Sequence, residues 1–187
     1  MIRRLIRLLA AALLAGSTGC LPGMPAPDLL PRAEPVTFGG LGIGVGSAGF
    51  MAQMDLTRVK NNRAYRARWN IMGHDGYYSG TSASQVSEFS VLAGRGRICC
   101  GGSDWGSYAL GGGIVTGWKG NESDDFTTIG FAGELMLVTG KIPHIAPSLL
   151  VNLNPEAPFA AVNVAILIGR MPFISTASPR RRPFPGR

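Results

Sequence analysis

Apolar and polar side chains alternate with a period of two over most of the chain, from Pro35 to Arg170. This period predicts β-strands, because successive side chains of a strand point to opposite faces, whereas an amphipathic helix repeats every 3.6 residues or so. Clusters of Gly, Asn, Asp, Ser and Pro interrupt the alternation and predict turns. The interruptions delimit eight runs, which cover residues 35–46, 49–60, 63–72, 84–96, 105–117, 126–138, 145–154 and 158–170.

Eight consecutive strands joined by turns predict an all-β domain. The edge strands of an open sheet leave a row of backbone groups unpaired, and closing the sheet on itself removes both edges. We therefore expect an antiparallel up-and-down eight-stranded β-barrel over residues 35–173. The flanking segments divide into a signal peptide at 1–19, a lipidated Pro-rich tether at 20–34 and a basic disordered tail at 174–187.

The direction of the apolar strand face distinguishes a soluble barrel, which buries it, from a membrane barrel, which turns it toward lipid. Runs of 10 to 13 residues suit a tilted strand that crosses a bilayer, which needs about 9–11 residues. The polar face is rich in Gly, Ala and Ser and poor in Lys, as a narrow lumen requires. Both features favour an outward apolar face, which would include Leu41, Ile43, Val45, Trp69, Phe131, Val164 and Ile166.

Charged residues on the polar face can balance one another inside such a barrel. Unpaired charges cost several kcal/mol each in a dry interior, so acids and bases are expected to pair there. The predicted lumen network consists of Asp55, Glu88 and Glu134 with Arg66 and Arg68. Aromatic residues near the strand ends are typical of the girdles at the two membrane surfaces, and the candidates are Tyr65, Trp69, Trp105, Tyr108, Trp118 and Phe126. Packing in an ordinary core is the alternative for these residues.

In this pattern, residues 35–170 resemble the small eight-stranded outer-membrane barrels of the OmpA type. The resemblance implies a non-catalytic, structural or surface-interaction role in the bacterial outer membrane. Two features depart from the family pattern. Here 17 residues follow the last strand, with Phe173 close to the place of the family's usual terminal aromatic residue, and a lipid anchor on a spanning barrel is unusual. The alternative is a soluble, lipid-tethered, lipocalin-like barrel that binds a small apolar ligand, and it predicts the opposite strand orientation.

The first 20 residues have the composition of an export signal. A short positive region precedes the eight-residue apolar stretch Leu8–Ala15, which is far shorter than the roughly 20 residues of a membrane-spanning helix. Ser17-Thr18-Gly19-Cys20 resembles the lipobox of bacterial lipoproteins, although Ser17 stands where the family usually has Leu. The resemblance implies membrane lipid attached through Cys20. Cleavage of an ordinary signal peptide after Ser17 is the alternative.

The other two cysteines, Cys99 and Cys100, are adjacent and form either a strained vicinal disulfide or two thiols. A metal site would need further ligands, and the two histidines, His74 and His144, are distant in sequence. We expect no metal and no cofactor. Gly44-Val-Gly-Ser-Ala-Gly49 matches the spacing of a dinucleotide-binding loop, but a strand follows it instead of the helix that such a loop requires.

A barrel enzyme that modifies lipid is a further alternative, since some outer-membrane barrels pair a histidine with a serine. The candidates are His144 with Ser148, and His74 with Asp75 and Ser79. His144 and Ser148 lie four residues apart along one strand, about 13 Å, which is too far for a base to activate a nucleophile directly. We therefore expect no catalytic residues.

The net charge of +7 comes from the two ends of the chain. Three Arg lie in the signal peptide and four in the last eight residues, and the remainder holds 11 basic and 11 acidic side chains. Nucleic-acid binding requires a clustered positive face, and the sequence of the barrel shows none. We expect no nucleic-acid partner, whereas membrane lipid is expected to contact the barrel exterior; the sequence names no protein or ligand partner.

Overall fold

The computed structural model describes residues 29–31, 34–47, 49–73, 83–98, 105–119, 124–138 and 143–175. Ten strands lie in these residues: β1 Leu29–Pro31, β2 Val36–Gly46, β3 Gly49–Lys60, β4 Arg63–Gly73, β5 Ala83–Ile98, β6 Trp105–Lys119, β7 Asp124–Val138, β8 Ile145–Leu153, β9 Phe159–Gly169 and β10 Phe173–Ser175. The described residues contain no helix that is long and apolar enough to cross a membrane.

Strands β2 to β9 form a closed antiparallel barrel in which each strand pairs with its neighbours in sequence. Closure is made by β2 and β9, where Leu41 lies opposite Ile166. The predicted all-β, up-and-down eight-stranded barrel is therefore confirmed, and most strand bounds fall within two residues of the predicted runs. Local chemistry explains the tightest hairpin. Asn61 and Asn62 have φ values of 49° and 63°, as a two-residue turn with the twist of the strands requires, and Asn tolerates this region well.

Strands β1 and β10 form a separate two-stranded antiparallel sheet, in which Leu29 pairs with Ser175. This pairing corrects the expectation of an extended tether over all of 20–34 and of a disordered tail from residue 174, since both segments contribute a short strand. A two-stranded sheet consists of edge strands alone, and Pro31 is tolerated there because its missing N–H need not face a partner. The few residues before β2 and after β9 are thus tied to each other.

Two ends of the barrel can be distinguished. The terminal end is where β2 begins and β9 ends, and it includes the Asn61-Asn62 turn; the loop end is the opposite one, where β2 turns into β3. An apolar cluster lies inside the terminal end, and its largest members are Phe38 and Trp105, whose rings meet edge to face at 6.2 Å. A second apolar cluster inside the loop end includes Met51, Met72 and Phe159. Polar and charged side chains lie on the inward strand positions between these clusters.

Candidate functional site: the outer surface and the lumen network

The outer surface of the barrel is apolar on every strand. Exposed large apolar or aromatic side chains occur on each of β2 to β9, and Ile43 and Ile129 reach exposures of 77% and 79%. All seven side chains predicted to face outward do so: Leu41, Ile43, Val45, Trp69, Phe131, Val164 and Ile166. This orientation is the one expected of a membrane barrel and the opposite of the one that a lipocalin-like barrel requires.

The aromatic residues divide into an outward and an inward group. Tyr65, Trp69, Tyr108 and Trp118 point outward, and the Trp69 indole donates a hydrogen bond to Ser87 Oγ at 3.0 Å. The girdle assignment is wrong for two residues, which are Trp105 and Phe126. Trp105 is 2% exposed and lies in the lumen over Gly96, whose missing side chain leaves room for the indole.

Phe126 is also inward, packed on the apolar cluster at the loop end. Its even number on β7 places it on the same face as Ala132 and Glu134, which are buried. The alternation of side chains alone therefore predicts the inward direction of both Trp105 and Phe126. Side-chain direction in a strand follows odd or even position and not nearness to the strand end.

Two arginines and two glutamates form the centre of the lumen network. Arg66 Nη1 lies 2.6 Å from Glu134 Oε2, and Arg68 Nη2 lies 2.9 Å from Glu88 Oε1. A longer contact of 3.4 Å joins Arg68 Nη1 to Glu134 Oε2, so Glu134 lies between the two guanidinium groups. All four side chains are essentially inaccessible to solvent. At this depth each charge is stable only while its partner is present, because a lone buried charge is strongly unfavourable.

Amide side chains surround this centre and bind Glu88 in particular. Asn70 Nδ2 donates to Glu88 Oε2 at 2.6 Å, and Asn152 Nδ2 donates to Glu88 Oε1 at 2.8 Å. Asn154 in turn donates to the Asn152 side-chain oxygen at 3.0 Å. The Glu88 carboxylate on β5 thus accepts hydrogen bonds from Arg68 and Asn70 on β4 and from Asn152 on β8. One carboxylate therefore links three strands.

Asp55 lies in the lumen, as expected, but its partners differ from the expected arginines. It makes no ion pair with a described residue, and instead accepts hydrogen bonds from Gln53 Nε2 at 3.1 Å and Thr57 Oγ1 at 3.3 Å. Arg66 Nε donates to Thr57 Oγ1 at 2.7 Å, so Asp55 is linked to Arg66 through the Thr57 hydroxyl. Asn163 Nδ2 donates to Gln53 Oε1 at 3.0 Å and extends the network to β9.

The structure thus brings the five residues of the predicted lumen network onto inward positions of β3, β4, β5 and β7. The sequence did not identify the neutral members of the network as partners, although their parity placed them on the polar face. They are Gln53, Thr57, Asn70, Asn152, Asn154 and Asn163. Which of them meets which charge depends on the stagger of strands around the closed barrel, and alternation within one strand carries no such information.

The serine–histidine alternative gains no support from the described geometry. Ser148 is buried in the lumen, and its hydroxyl has no hydrogen-bond partner among the described residues, so it makes no hydrogen bond with His144. The backbone carbonyl of His144 accepts a hydrogen bond from Leu167 N at 2.9 Å, which holds it at the start of β8. His74, Asp75 and Ser79, like Cys20, Cys99 and Cys100, lie outside the described residues. Within the described ranges, no three His, Cys, Asp or Glu side chains are grouped to hold a metal ion.

A cluster of positive charge on the outer surface corrects the expectation that the barrel has none. Its members come from three adjacent strands, all point outward, and all lie at the terminal end: Arg58, Lys60, Arg63, Arg95 and Arg97. We call these five residues the basic rim. The balance of 11 basic and 11 acidic residues concealed it, because five acids and bases of the barrel are buried in the lumen and contribute nothing to this surface.

Comparison with known proteins bears on the fold alone. No protein-family model and no curated protein matches the sequence. Neisserial surface protein A (NspA) has a crystal structure that matches with a TM-score of 0.51 and 8% identity, over 73% of this chain and 96% of that one. The N-terminal β-barrel domain of Pseudomonas aeruginosa OprF matches with a TM-score of 0.50 and 11% identity, over 74% of this chain and all of that domain. The chain is an eight-stranded antiparallel barrel that resembles these outer-membrane barrels.

Proposed function

We propose that this protein is a bacterial outer-membrane β-barrel with a structural or surface-interaction role and no catalytic activity. The observation that carries the proposal is the inversion of the barrel: apolar side chains cover the outside on all eight strands, while ion pairs fill the centre of the lumen. In water, this arrangement would expose a continuous apolar surface far larger than the isolated patches of soluble monomers. In a bilayer, the same surface contacts lipid and every strand finds its hydrogen-bond partners in the closed sheet.

The lipid anchor belongs to the same proposal. Removal of residues 1–19 would leave Cys20 as the first residue, lipidated and followed by the tether at 20–34. The terminal end of the barrel then faces the periplasm, and the loop end faces outward. The likeness to the NspA and OprF barrels supports the placement in the outer membrane.

The test is fractionation of the chain expressed in a Gram-negative host with its own leader, alongside Cys20→Ala. We expect both proteins in the outer-membrane fraction after high-salt and carbonate washes, because the barrel itself is held by lipid. Both should also migrate differently on a denaturing gel before and after boiling, as a barrel that resists detergent does. Release of Cys20→Ala into the soluble fraction would overturn the proposal and leave the lipid as the sole anchor. Labelling with radioactive palmitate, present in the wild type and absent in Cys20→Ala, tests lipidation separately.

A further inference from the structure

The basic rim places like charges directly beside one another. In the registers of β3, β4 and β5, Lys60 lies opposite Arg63, and Arg63 lies opposite Arg95. Side chains at opposed positions have Cβ atoms about 4.5–5.5 Å apart, and like charges there repel. The ion pairs between described residues lie in the lumen and involve none of these cations. The described structure gives this row of three cations no counter-charge, and an external anion would relieve their repulsion.

Each of the three strands passes from apolar to basic within one or two outward positions. On β3, Leu56 is followed on the same face by Arg58 and then Lys60, and on β5, Val91 and Ala93 are followed by Arg95. The basic rim therefore begins where the apolar belt ends. In a membrane barrel this level is the boundary between acyl chains and head groups, where Arg and Lys place their charges among lipid phosphates.

A groove on the outer surface combines positive charge, which suits a phospholipid head group, with apolar side chains, which suit an acyl chain. Arg95 and Arg97 line one part of it, and Tyr108, Leu135 and Leu137 line another. Gly106 leaves the wall between Arg97 and Leu137 without a side chain, which deepens the groove between β5 and β7. A second, more polar groove with Lys60, Arg63 and Tyr65 lies beside it and shares Arg95.

We infer that the basic rim and its groove bind anionic phospholipids in the leaflet at the terminal end, with the phosphate on Arg63, Arg95 and Arg97 and an acyl chain along Leu135 and Leu137. The inference rests on the proposed membrane location of the barrel. The barrel thus has a preferred lipid environment on one leaflet, and the basic rim fixes which end of the barrel lies there.

The experiment measures lipid selectivity of the full chain in phosphatidylcholine bilayers. Trace spin-labelled phosphatidylglycerol or phosphatidylcholine is added, and the fraction of each lipid that is motionally restricted by the protein is compared. A basic side chain near an anionic lipid surface contributes about 1 kcal/mol, or about fivefold in affinity. We expect the wild type to prefer phosphatidylglycerol by about fivefold or more, and the variant Arg63→Gln/Arg95→Gln/Arg97→Gln to show almost no preference.

Arg170→Gln is the matched control, because Arg170 is exposed at the same end but follows β9, away from the three strands of the basic rim. It should keep the wild-type selectivity. Equal association of both lipids with the wild type, or full selectivity in the triple variant, would overturn the inference. If the triple variant does not fold, Arg95→Gln alone should remove part of the wild-type preference, and no change would overturn the inference equally. Failure of the wild type to float with the bilayers would instead refute the membrane location itself.

Discussion

At the scale of single residues, the lumen contains buried ion pairs in which each charged side chain requires its partner. Arg68 touches Glu88 and Glu134 at once, so its guanidinium group neutralises parts of two buried carboxylates. Arg66 Nη1 also pairs with Glu134, and Arg66 Nε donates a hydrogen bond to Thr57 Oγ1. The energetic value of such a network lies less in the attraction itself than in the cost of breaking it, because removal of one partner leaves a buried charge unpaired.

Arg68→Met is expected to lower the free energy of unfolding by about 3–5 kcal/mol, because Glu88 loses its charged partner in a dry lumen. The measurement is equilibrium unfolding in guanidinium chloride of the barrel refolded in detergent micelles. The double variant Arg68→Met/Glu88→Leu should lose less than the sum of the two single variants. Arg58→Met, on the outer surface, serves as the control and should change stability by less than about 1 kcal/mol. Equal effects of Arg68→Met and Arg58→Met would contradict the assigned pairing.

Gly96 is required by the ring of Trp105, since a methyl group at this position would overlap the indole. Gly96→Ala should therefore destabilise the barrel by about 1–3 kcal/mol, the usual cost of overpacking a core. Gly112→Ala is the control on the outer face, where the added methyl group would meet only Gly130 O at 3.5 Å. It should be neutral or slightly stabilising. Thermal unfolding followed by tryptophan fluorescence would register both the stability and the displaced indole, and unchanged Gly96→Ala stability would refute the packing.

At the scale of elements, the strands carry two different surfaces whose positions follow from parity. On β7, Phe131 and Ile129 are exposed, while Ala132 and Glu134 are buried. The sequence predicted this strand as 126–138, and the structure extends it to Asp124. The alternation was sufficient for the element and for its two faces, because both properties are local. The two aromatic errors, Trp105 and Phe126, arose where position along the strand was weighted above parity.

Phe131→Arg is expected to cost about 2–4 kcal/mol in a bilayer, since Phe131 lies at the middle of β7 and would place a charge near the midplane. Thr127→Arg is the matched control on the same face of the same strand, closer to the loop end, and should cost about 0–1 kcal/mol. Folding into phosphatidylcholine vesicles across a denaturant series gives both values. A soluble barrel would tolerate both changes alike, because either arginine would lie in water.

At the scale of the whole molecule, the sheet closes on itself into a barrel, and side chains fill the interior of that barrel. Apolar clusters lie at the terminal end and at the loop end of the lumen, and the ion pairs lie between them. Side chains of the strands themselves, such as Trp105 and Phe38, form the closure at the terminal end. An eight-stranded barrel has an interior just wide enough for side chains to fill it.

Such a barrel should not conduct ions. In planar lipid bilayers, the purified wild type is expected to produce no stepwise currents, under conditions in which a porin control does. Flotation of the same preparation with vesicles after a carbonate wash establishes that the protein has inserted. Discrete, reproducible channels from inserted wild-type protein would contradict the filled lumen.

The sequence by itself determined the eight strands, their antiparallel order and the two faces of each strand, because alternation and turn residues act over short stretches of chain. The outward direction of the apolar face, which the lipocalin-like alternative reverses, was decided by the tertiary structure. The sequence also placed Asp55, Arg66, Arg68, Glu88 and Glu134 on one face. The tertiary structure alone decided that Glu134 lies between two arginines, that Asp55 is held by a hydroxyl and an amide, and that β1 pairs with β10.

The basic rim shows why the sequence alone does not reveal which side chains meet. Its members are scattered over 40 residues of a chain whose barrel is neutral in composition, and no local pattern joins Lys60 to Arg95. Strand pairing sets these side chains side by side, since Arg63 on β4 lies opposite both. Local periodicity specifies which way a side chain points, and only the register of neighbouring strands specifies what it meets.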